Sequence, residues 1–202
     1  MSGAKSGPRL GILISGRGSN MAAILKAIEA GTLGAIPAVV LSHNPKAEGL
    51  VTAAQQDIPT FAELISEFDS KEAYEAWVVG VLKDHQVDLV ILAGYMRLVG
   101  PTLLAAFPNR ILNIHPSYLP AFKGLHAQRQ AVEAGAKESG CSVHVVDDTL
   151  DGGPLILQTK VPVLPGDTEA SLSERILVQE HQLYPKAIAQ YWEKENNRAS
   201  VN

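Results

Sequence analysis

The sequence predicts an α/β fold: a Rossmann-like, mostly parallel twisted sheet with helices on both faces, a C-terminal antiparallel strand pair and a long closing helix. Three observations predict it. Short runs rich in Ile, Leu and Val alternate with segments of helical period, the pattern of strands buried on both faces and joined by helices. A glycine-bearing turn, Gly16-Arg17-Gly18, separates the first such run from the first helical segment. Hydrophobic residues make up 46% of the 202 residues, enough to cover both faces of a sheet.

The elements follow in order. Residues 9–15 read as a buried strand, and residues 20–31 as a helix with Met21, Ile24, Leu25 and Ile28 on one face. Ile36–Ser42 is the second strand, residues 46–56 a helix, and residues 59–62 a short third strand. Asp69 or Ser70 caps the next helix, whose apolar face is Tyr74, Trp77, Val78, Val81 and Leu82. Residues 87–93 form the clearest strand and residues 110–115 the next. After Pro116 the rhythm changes to a loop reaching Gly124, then a helix over residues 126–134. Strands over 142–146 and 154–163 flank an Asp-Gly-Gly turn and are expected to pair antiparallel. A helix over 169–195 closes the chain. A single domain over residues 1–202 is expected, with 1–7 and 196–202 flexible.

Composition excludes several classes. The formal net charge is −4, with Lys and Arg scattered, so no basic stripe exists for nucleic acid. Any phosphate must be held locally, by backbone amides and a few side chains. Cys141 is the only cysteine, which excludes intramolecular disulfides and cysteine-based zinc cages. The longest strongly apolar run, residues 87–94, is far too short to span a bilayer, and no secretory leader is evident. A cytoplasmic enzyme acting on small molecules, with no membrane partner, fits these features.

Four groups of residues could carry chemistry. In the turn Gly16-Arg17-Gly18-Ser19-Asn20 the glycines allow close backbone approach, and the helix N-terminus behind them favours an anion. It lacks the third glycine of a dinucleotide fingerprint and the Lys-Ser/Thr of a Walker A loop, and an ordinary capped turn is the alternative. Asn113 and His115, two apart on a strand, point the same way, with Pro116 holding the backbone extended. An amide beside an imidazole suits a developing oxyanion; a pair satisfied by loop backbone is the bland reading. Asp147, Asp148 and Asp151 cluster in one turn, where turn formation competes with a carboxylate that keeps His115 charged. The segment from Gly94 to Val99 leaves the strongest strand where a ligand wall would stand. No His-Glu-x-x-His or similar spacing points to a metal, and no Gly-x-Ser-x-Gly elbow to a covalent nucleophile. His144 reads as a structural or supporting residue, and Glu180-His181 as a solvated helix face.

Taken together, Ile14 to Asn20, Leu92-Ala93-Gly94-Tyr95-Met96-Arg97, Leu112-Asn113-Ile114-His115-Pro116-Ser117, Leu150-Asp151-Gly152-Gly153-Pro154 and Gln179-Glu180-His181 resemble the phosphoribosylglycinamide formyltransferase family. The resemblance covers nearly the whole chain. It implies transfer of the formyl group of 10-formyltetrahydrofolate, a co-substrate, to the amine of 5'-phosphoribosylglycinamide in purine biosynthesis, with no metal. It implies that Asn113, His115 and Asp151 are the catalytic group, that Gly18, Ser19 and Asn20 cradle the phosphate, and that Glu180 holds ribose hydroxyls. Met96, Arg97, Leu98 and Val99 would wall the pterin pocket together with Asn113, and Lys71 would meet the folate's carboxylate end. A monomer or weak homodimer is expected.

Two positions depart from the family pattern. Lys71 stands where some relatives carry Arg, and Ala121-Phe122-Lys123-Gly124 differs from their Lys-Tyr-Pro-Gly. Rivals with the same chemistry fit less well. Methionyl-tRNA formyltransferase would need a further nucleic-acid-binding domain. Formyltetrahydrofolate hydrolase would be expected to carry an N-terminal regulatory domain, and has no use for a phosphate loop. A non-catalytic folate- or nucleotide-binding module would not need Asn113, His115 and Asp151 together.

Overall fold

The computed structural model describes residues 7–199. The sequence-predicted α/β class is what it shows: seven strands in the order β3-β2-β1-β4-β5-β6-β7 with six α-helices. Contacts gather the chain into two compact units, one ending at Leu112 and one beginning at Asn113.

In the first unit β1 (Arg9–Ile14) lies between β2 (Ile36–Ser42) and β4 (Leu89–Leu92), parallel to both, and β3 (Thr60–Ala62) extends β2 in parallel. Leu10, Ile12, Leu13, Ile14, Leu89, Val90 and Ile91 are almost wholly buried, which is why these strands read as unbroken apolar runs. Each such side chain contributes about 1.5–3 kcal/mol by leaving water. Chain order reverses between β1 and β4. The two segments that leave their carboxyl ends, 15–18 and 93–99, therefore flank the switch point at which ligands of such sheets bind.

Helix α1 (Ser19–Glu29) buries Met21, Ile24 and Leu25 as expected, with Ile28 only half-buried. Helix α2 (Glu48–Ala54) is shorter than its periodic stretch. Helix α3 (Lys71–Asp84) starts at Ser70, whose hydroxyl accepts the Ala73 N–H at 3.1 Å. Its buried face is Tyr74, Glu75, Val78 and Leu82, while Trp77 and Val81 are half-buried. The carboxylate among them was not foreseen. Nor was α4 (Pro101–Ala106), six residues long and thus too short to show a period. Its one local signal is Pro101 at the first helical position.

The second unit holds the end of β5 (Ile111–His115), helix α5 (Ala127–Glu133), the antiparallel pair β6 (Glu138–Val145) and β7 (Leu155–Pro162), and α6 (Glu169–Ala199). Strand β6 begins four residues before the expected 142, because Glu138 to Cys141 pair with Pro162 to Thr159 although their side chains are polar or small. Backbone pairing, not apolar content, sets that boundary. Helix α6 continues through 196–199, which were expected to be flexible, and Gly7 lies so close to Gly34 that a Cβ would come 1.6 Å from its carbonyl oxygen. The rest of the expected flexible ends, 1–6 and 200–202, lies outside the described residues.

Ser70→Ala should lower the unfolding free energy by about 1 kcal/mol, the usual cost of a lost N-cap. Urea denaturation measures it, and a change below about 0.3 kcal/mol would mean that the cap contributes little beyond solvation.

Candidate functional site

In the second unit the strand period places Asn113 and His115 on one face of β5, with Ile114 buried opposite. His115 is 5% exposed and both of its ring nitrogens face acceptors. Nε2 donates to the Phe122 carbonyl at 2.9 Å, and Nδ1 lies 3.4 Å from Oδ2 of Asp151. The doubly protonated ring satisfies both contacts; either neutral tautomer leaves a lone pair facing an oxygen.

Asp151 reaches this position from a left-handed turn, φ 45°. Its Oδ2 also accepts the Gly124 N–H at 2.8 Å, and its Oδ1 lies 3.6 Å from Nε2 of His144. Burial pushes the Asp151 carboxyl up. His144, the Gly124 N–H and the charge on His115 outweigh it and hold the group down at about 2. The turn behind it admits no side chain at Gly153, where a Cβ would stand 2.0 Å from the Val145 carbonyl oxygen.

His144 ties the cluster together. Its Nδ1 donates to the Val145 carbonyl at 2.9 Å, and its Nε2 lies between the Asn113 amide nitrogen at 3.2 Å and Oδ1 of Asp151 at 3.6 Å. The neutral ring takes one Asn113 amide hydrogen at Nε2 and leaves the second for another acceptor; the protonated ring turns the Nε2 hydrogen toward Asp151. The loop from Pro116 to Gly124 is held in turn by buried hydroxyls. Ser142 donates to the Ser117 carbonyl at 2.6 Å and accepts the Leu119 N–H at 3.0 Å, while Ser117 donates to the Ala121 carbonyl at 2.6 Å.

Asp147 takes the turn-forming role that the sequence allowed: its Oδ1 accepts the Thr149 N–H at 2.9 Å, while Asp148 is exposed. Glu180, expected on a solvated face, is 6% exposed. Burial, with a smaller part from the Glu180 charge, pushes the Cys141 thiol up to about 12.

In the first unit Gly18 is the N-cap of α1 in a left-handed conformation, φ 72°. A Cβ there would meet the Cα of Gly49 at 3.1 Å, so conformation and packing both call for glycine. Ser19 and Asn20 are the first helical residues, and no side chain caps this end. No acidic residue stands in the first turn, and Asn20 is buried. The N–H groups of a first turn have no acceptor within their own helix, which makes this end a local positive pole.

Met96, Arg97 and Leu98 are exposed and Val99 half-buried, with Met96 and Leu98 at 68% and 70%. Lys71, the first residue of α3, is half-exposed and lies 3.8 Å from the buried carboxylate of Glu75. Among the described residues no group of three or more His, Cys, Asp and Glu side chains could hold a metal ion, and no helix is long and apolar enough to cross a membrane.

Known proteins share this chain's sequence and fold. The profile of the formyl transferase family matches residues 8–188. Phosphoribosylglycinamide formyltransferase of Escherichia coli (strain K12) is 45% identical over 178 residues, 88% of this chain and 84% of that protein. The trifunctional purine biosynthetic protein adenosine-3 of Drosophila melanogaster is 44% identical over 183 residues, which are 90% of this chain and only 14% of that larger protein. The crystal structure of glycinamide ribonucleotide transformylase 1 from Symbiobacterium toebii superposes with a TM-score of 0.94 at 47% identity, covering 96% of this chain and 92% of that one. By the extent of the profile match, and by identity over most of a relative's length, the chain belongs to the formyl transferase family, among its phosphoribosylglycinamide formyltransferases.

Proposed function

We propose that this chain moves the formyl group of 10-formyltetrahydrofolate directly to the amine of 5'-phosphoribosylglycinamide, through a tetrahedral intermediate stabilised by Asn113 and His115. The observation that carries the reading is the cluster at the end of β5: an oriented amide, a buried imidazole and a carboxylate held ionised beside it.

The chemistry follows from the atoms present. The acceptor amine attacks the formyl carbon, a C–N bond forms, and the carbonyl electrons move to oxygen. The second hydrogen of the Asn113 amide and an N–H of His115 are the donors for that oxygen, aimed where charge develops. Asp151 stabilises the positive ring that the oxyanion needs. The proton lost by the new ammonium passes through water to the folate nitrogen, whose bond to carbon then breaks as the carbonyl re-forms. Formylated amine and tetrahydrofolate leave. Both His115 N–H groups have partners in the unliganded protein, so the substrate's oxygen takes the place of the Phe122 carbonyl at Nε2.

Ligand roles follow the residues described. Gly18, Ser19 and Asn20 hold the acceptor's phosphate at the start of α1, and Glu180 the ribose hydroxyls. Met96, Arg97, Leu98 and Val99, whose apolar members Met96 and Leu98 stand exposed, pack on the pterin, which Asn113 also meets, and Lys71 meets the folate tail. Such localised binding suits a chain of net charge −4. The enzyme works as a monomer or weak homodimer in the cytoplasm.

Acceptor dependence tests the reaction. Tetrahydrofolate should appear from the formyl donor only when phosphoribosylglycinamide is present. Equal release without it would make the protein a hydrolase, and no release in either case a binding module.

Asp151→Asn should leave the fold intact, since the amide still accepts the Gly124 N–H, yet lower kcat on the order of 10²-fold or more with little change in either KM. Steady-state kinetics decide it; near-normal kcat would return Asp151 to turn formation.

The ionisation of Asp151 has a direction that can be checked. A carboxyl depressed to about 2 when folded adds stability above the ordinary carboxylate value, and that stability is lost as pH falls through about 2. The carbon-13 shift of the Asp151 carboxyl should therefore stay that of the anion down to about pH 3. A midpoint above about 4 would remove the proposed balance of contacts.

Ser19→Ala and Asn20→Ala should each weaken the acceptor by about 1.5–3 kcal/mol while folate affinity holds. Calorimetric titration with each ligand measures this, and equal weakening of both would refute the loop assignment.

A further inference from the structure

The segment that links β4 to α4 is suspended between two side chains of the first unit. At its start the Met96 N–H donates to Oγ of Ser15 at 2.7 Å, and the Ser15 hydroxyl faces Nδ1 of His43 at 3.4 Å. The His43 ring meets Tyr95 edge to face, with centroids 5.6 Å apart. Burial, and to a lesser extent the Arg97 charge, keep His43 disposed to the neutral form, which can accept the Ser15 hydrogen while Ser15 accepts from Met96.

At its far end the anchor is Glu75 of α3. The carboxylate is buried, and Oε1 accepts the Gly100 N–H at 2.6 Å while Oε2 accepts the Leu103 N–H at 3.3 Å. Gly100 is the N-cap of α4 and supplies no side-chain cap of its own, so a residue 25 positions earlier does that work. Pro101 has no N–H to satisfy. Gly100 is also shaped to this partner, since a Cβ there would lie 2.6 Å from Oε1 and 2.8 Å from Oε2. Between the anchors the chain has no regular structure, and Met96, Arg97 and Leu98 are exposed.

A carboxylate is costly to bury unless its partners are good, and a hydrophobic side chain would fill this face of α3 without that cost. What the carboxylate alone provides is a fixed place for Gly100. We infer that Glu75 is a positioning residue for folate binding: it holds the end of the 96–100 segment so that Met96, Leu98 and Val99 present a preformed wall. The inference rests on the reading of that wall as folate-facing. Ser15 does the same at the other end. Lys71, 3.8 Å from the same Oε1, shares the carboxylate but is not the route of the effect.

The test compares Glu75→Gln, which sets an amide against two N–H donors, with Gly100→Ala, which pushes on the same carboxylate from the other side. Hydrogen exchange of the backbone amides at positions 100 and 103 in the unliganded protein reads the anchor. Titration with tetrahydrofolate and with phosphoribosylglycinamide, beside steady-state kcat and thermal unfolding, reads its consequence. Exchange at both amides should quicken and the tetrahydrofolate Kd rise about tenfold or more, while the acceptor Kd and saturated kcat stay within about twofold. The rise should persist in a Lys71→Ala background. Unchanged exchange overturns the anchor. Faster exchange with an unchanged tetrahydrofolate Kd overturns the positioning role, and Leu98→Ala then separates the causes: if it too leaves the Kd unchanged, the wall itself was misassigned. Parallel loss of both affinities, kcat and melting temperature would mean that Glu75 is merely structural.

Discussion

The Asp151 carboxylate depends on a turn that few residues can make. Asp151 sits at φ 45°, followed by two glycines, the second of which touches the Val145 carbonyl too closely for any side chain. A non-glycine residue in that region costs free energy, which persists only where the surroundings over-determine it. Here they do. Gly124, His115 and His144 converge on one carboxylate, and each is positioned by something else: Gly124 by a loop locked through Ser117 and Ser142, His115 by β5 and the Phe122 carbonyl, His144 by the Val145 carbonyl. The same β6 that carries His144 carries Ser142 two residues earlier, so one strand fixes both the loop and the imidazole. Removing the carboxylate would release all three contacts at once, which is how a single group organises both a loop amide and a pair of rings.

What could be read from sequence was set by local chemistry. Strands β1, β2 and β4 were plain because burial on both faces leaves an apolar run, and the cap of α3 was narrowed to Asp69 or Ser70, of which Ser70 caps, because a cap acts within three residues. Asn113 and His115 stood out through a strand period, while Asp151 was singled out from its neighbouring aspartates only by the family resemblance. Glu75 was missed because its partners, Gly100 and Leu103, lie 25 and 28 residues away, and no local rule ties an acidic residue to a distant helix start. Glu180 was read as solvated for the same reason: one polar residue on a long helix carries no sign of whether its face is covered. His144 could be suspected as a supporting residue, but its link to the Asn113 amide appears only once the positions of β5 and β6 are known. The polar start of β6 was hidden because backbone pairing selects it, not side-chain type.

Charge is handled locally throughout. The chain is acidic overall, yet the features assigned to anionic ligands need no basic surface. At the start of α1 the first turn holds no acidic side chain, and the N–H groups of the helix end supply the positive pole that Lys or Arg would otherwise provide. Gly18 is what allows this, because a left-handed cap without a side chain brings the turn against Gly49 and puts no capping group over the amides. Two carboxylates draw on backbone donors as well. Buried Glu75 accepts the Gly100 and Leu103 N–H groups beside Lys71, and half-buried Asp151 accepts the Gly124 N–H beside the His115 ring, so backbone dipoles share the stabilisation of each negative charge.

In the proposed reaction His115 starts from a hydrogen bond that it must give up. Its Nε2 already donates to the Phe122 carbonyl oxygen, 2.9 Å away, so a substrate oxygen offers little in the ground state that Phe122 does not. The balance changes as the formyl oxygen becomes an oxyanion, since hydrogen bonds to a charged acceptor are roughly twice as strong as those to a neutral one. Exchange of the Phe122 carbonyl for the oxyanion is therefore favourable only near the transition state. A hydrogen bond to Phe122 in the unliganded protein thus penalises ground-state binding more than it penalises reaction, which directs binding energy to the chemical step. The second hydrogen of the Asn113 amide can meet the formyl oxygen from the outset. The two donors then divide the work: Asn113 places the carbonyl, and His115 engages as the charge appears.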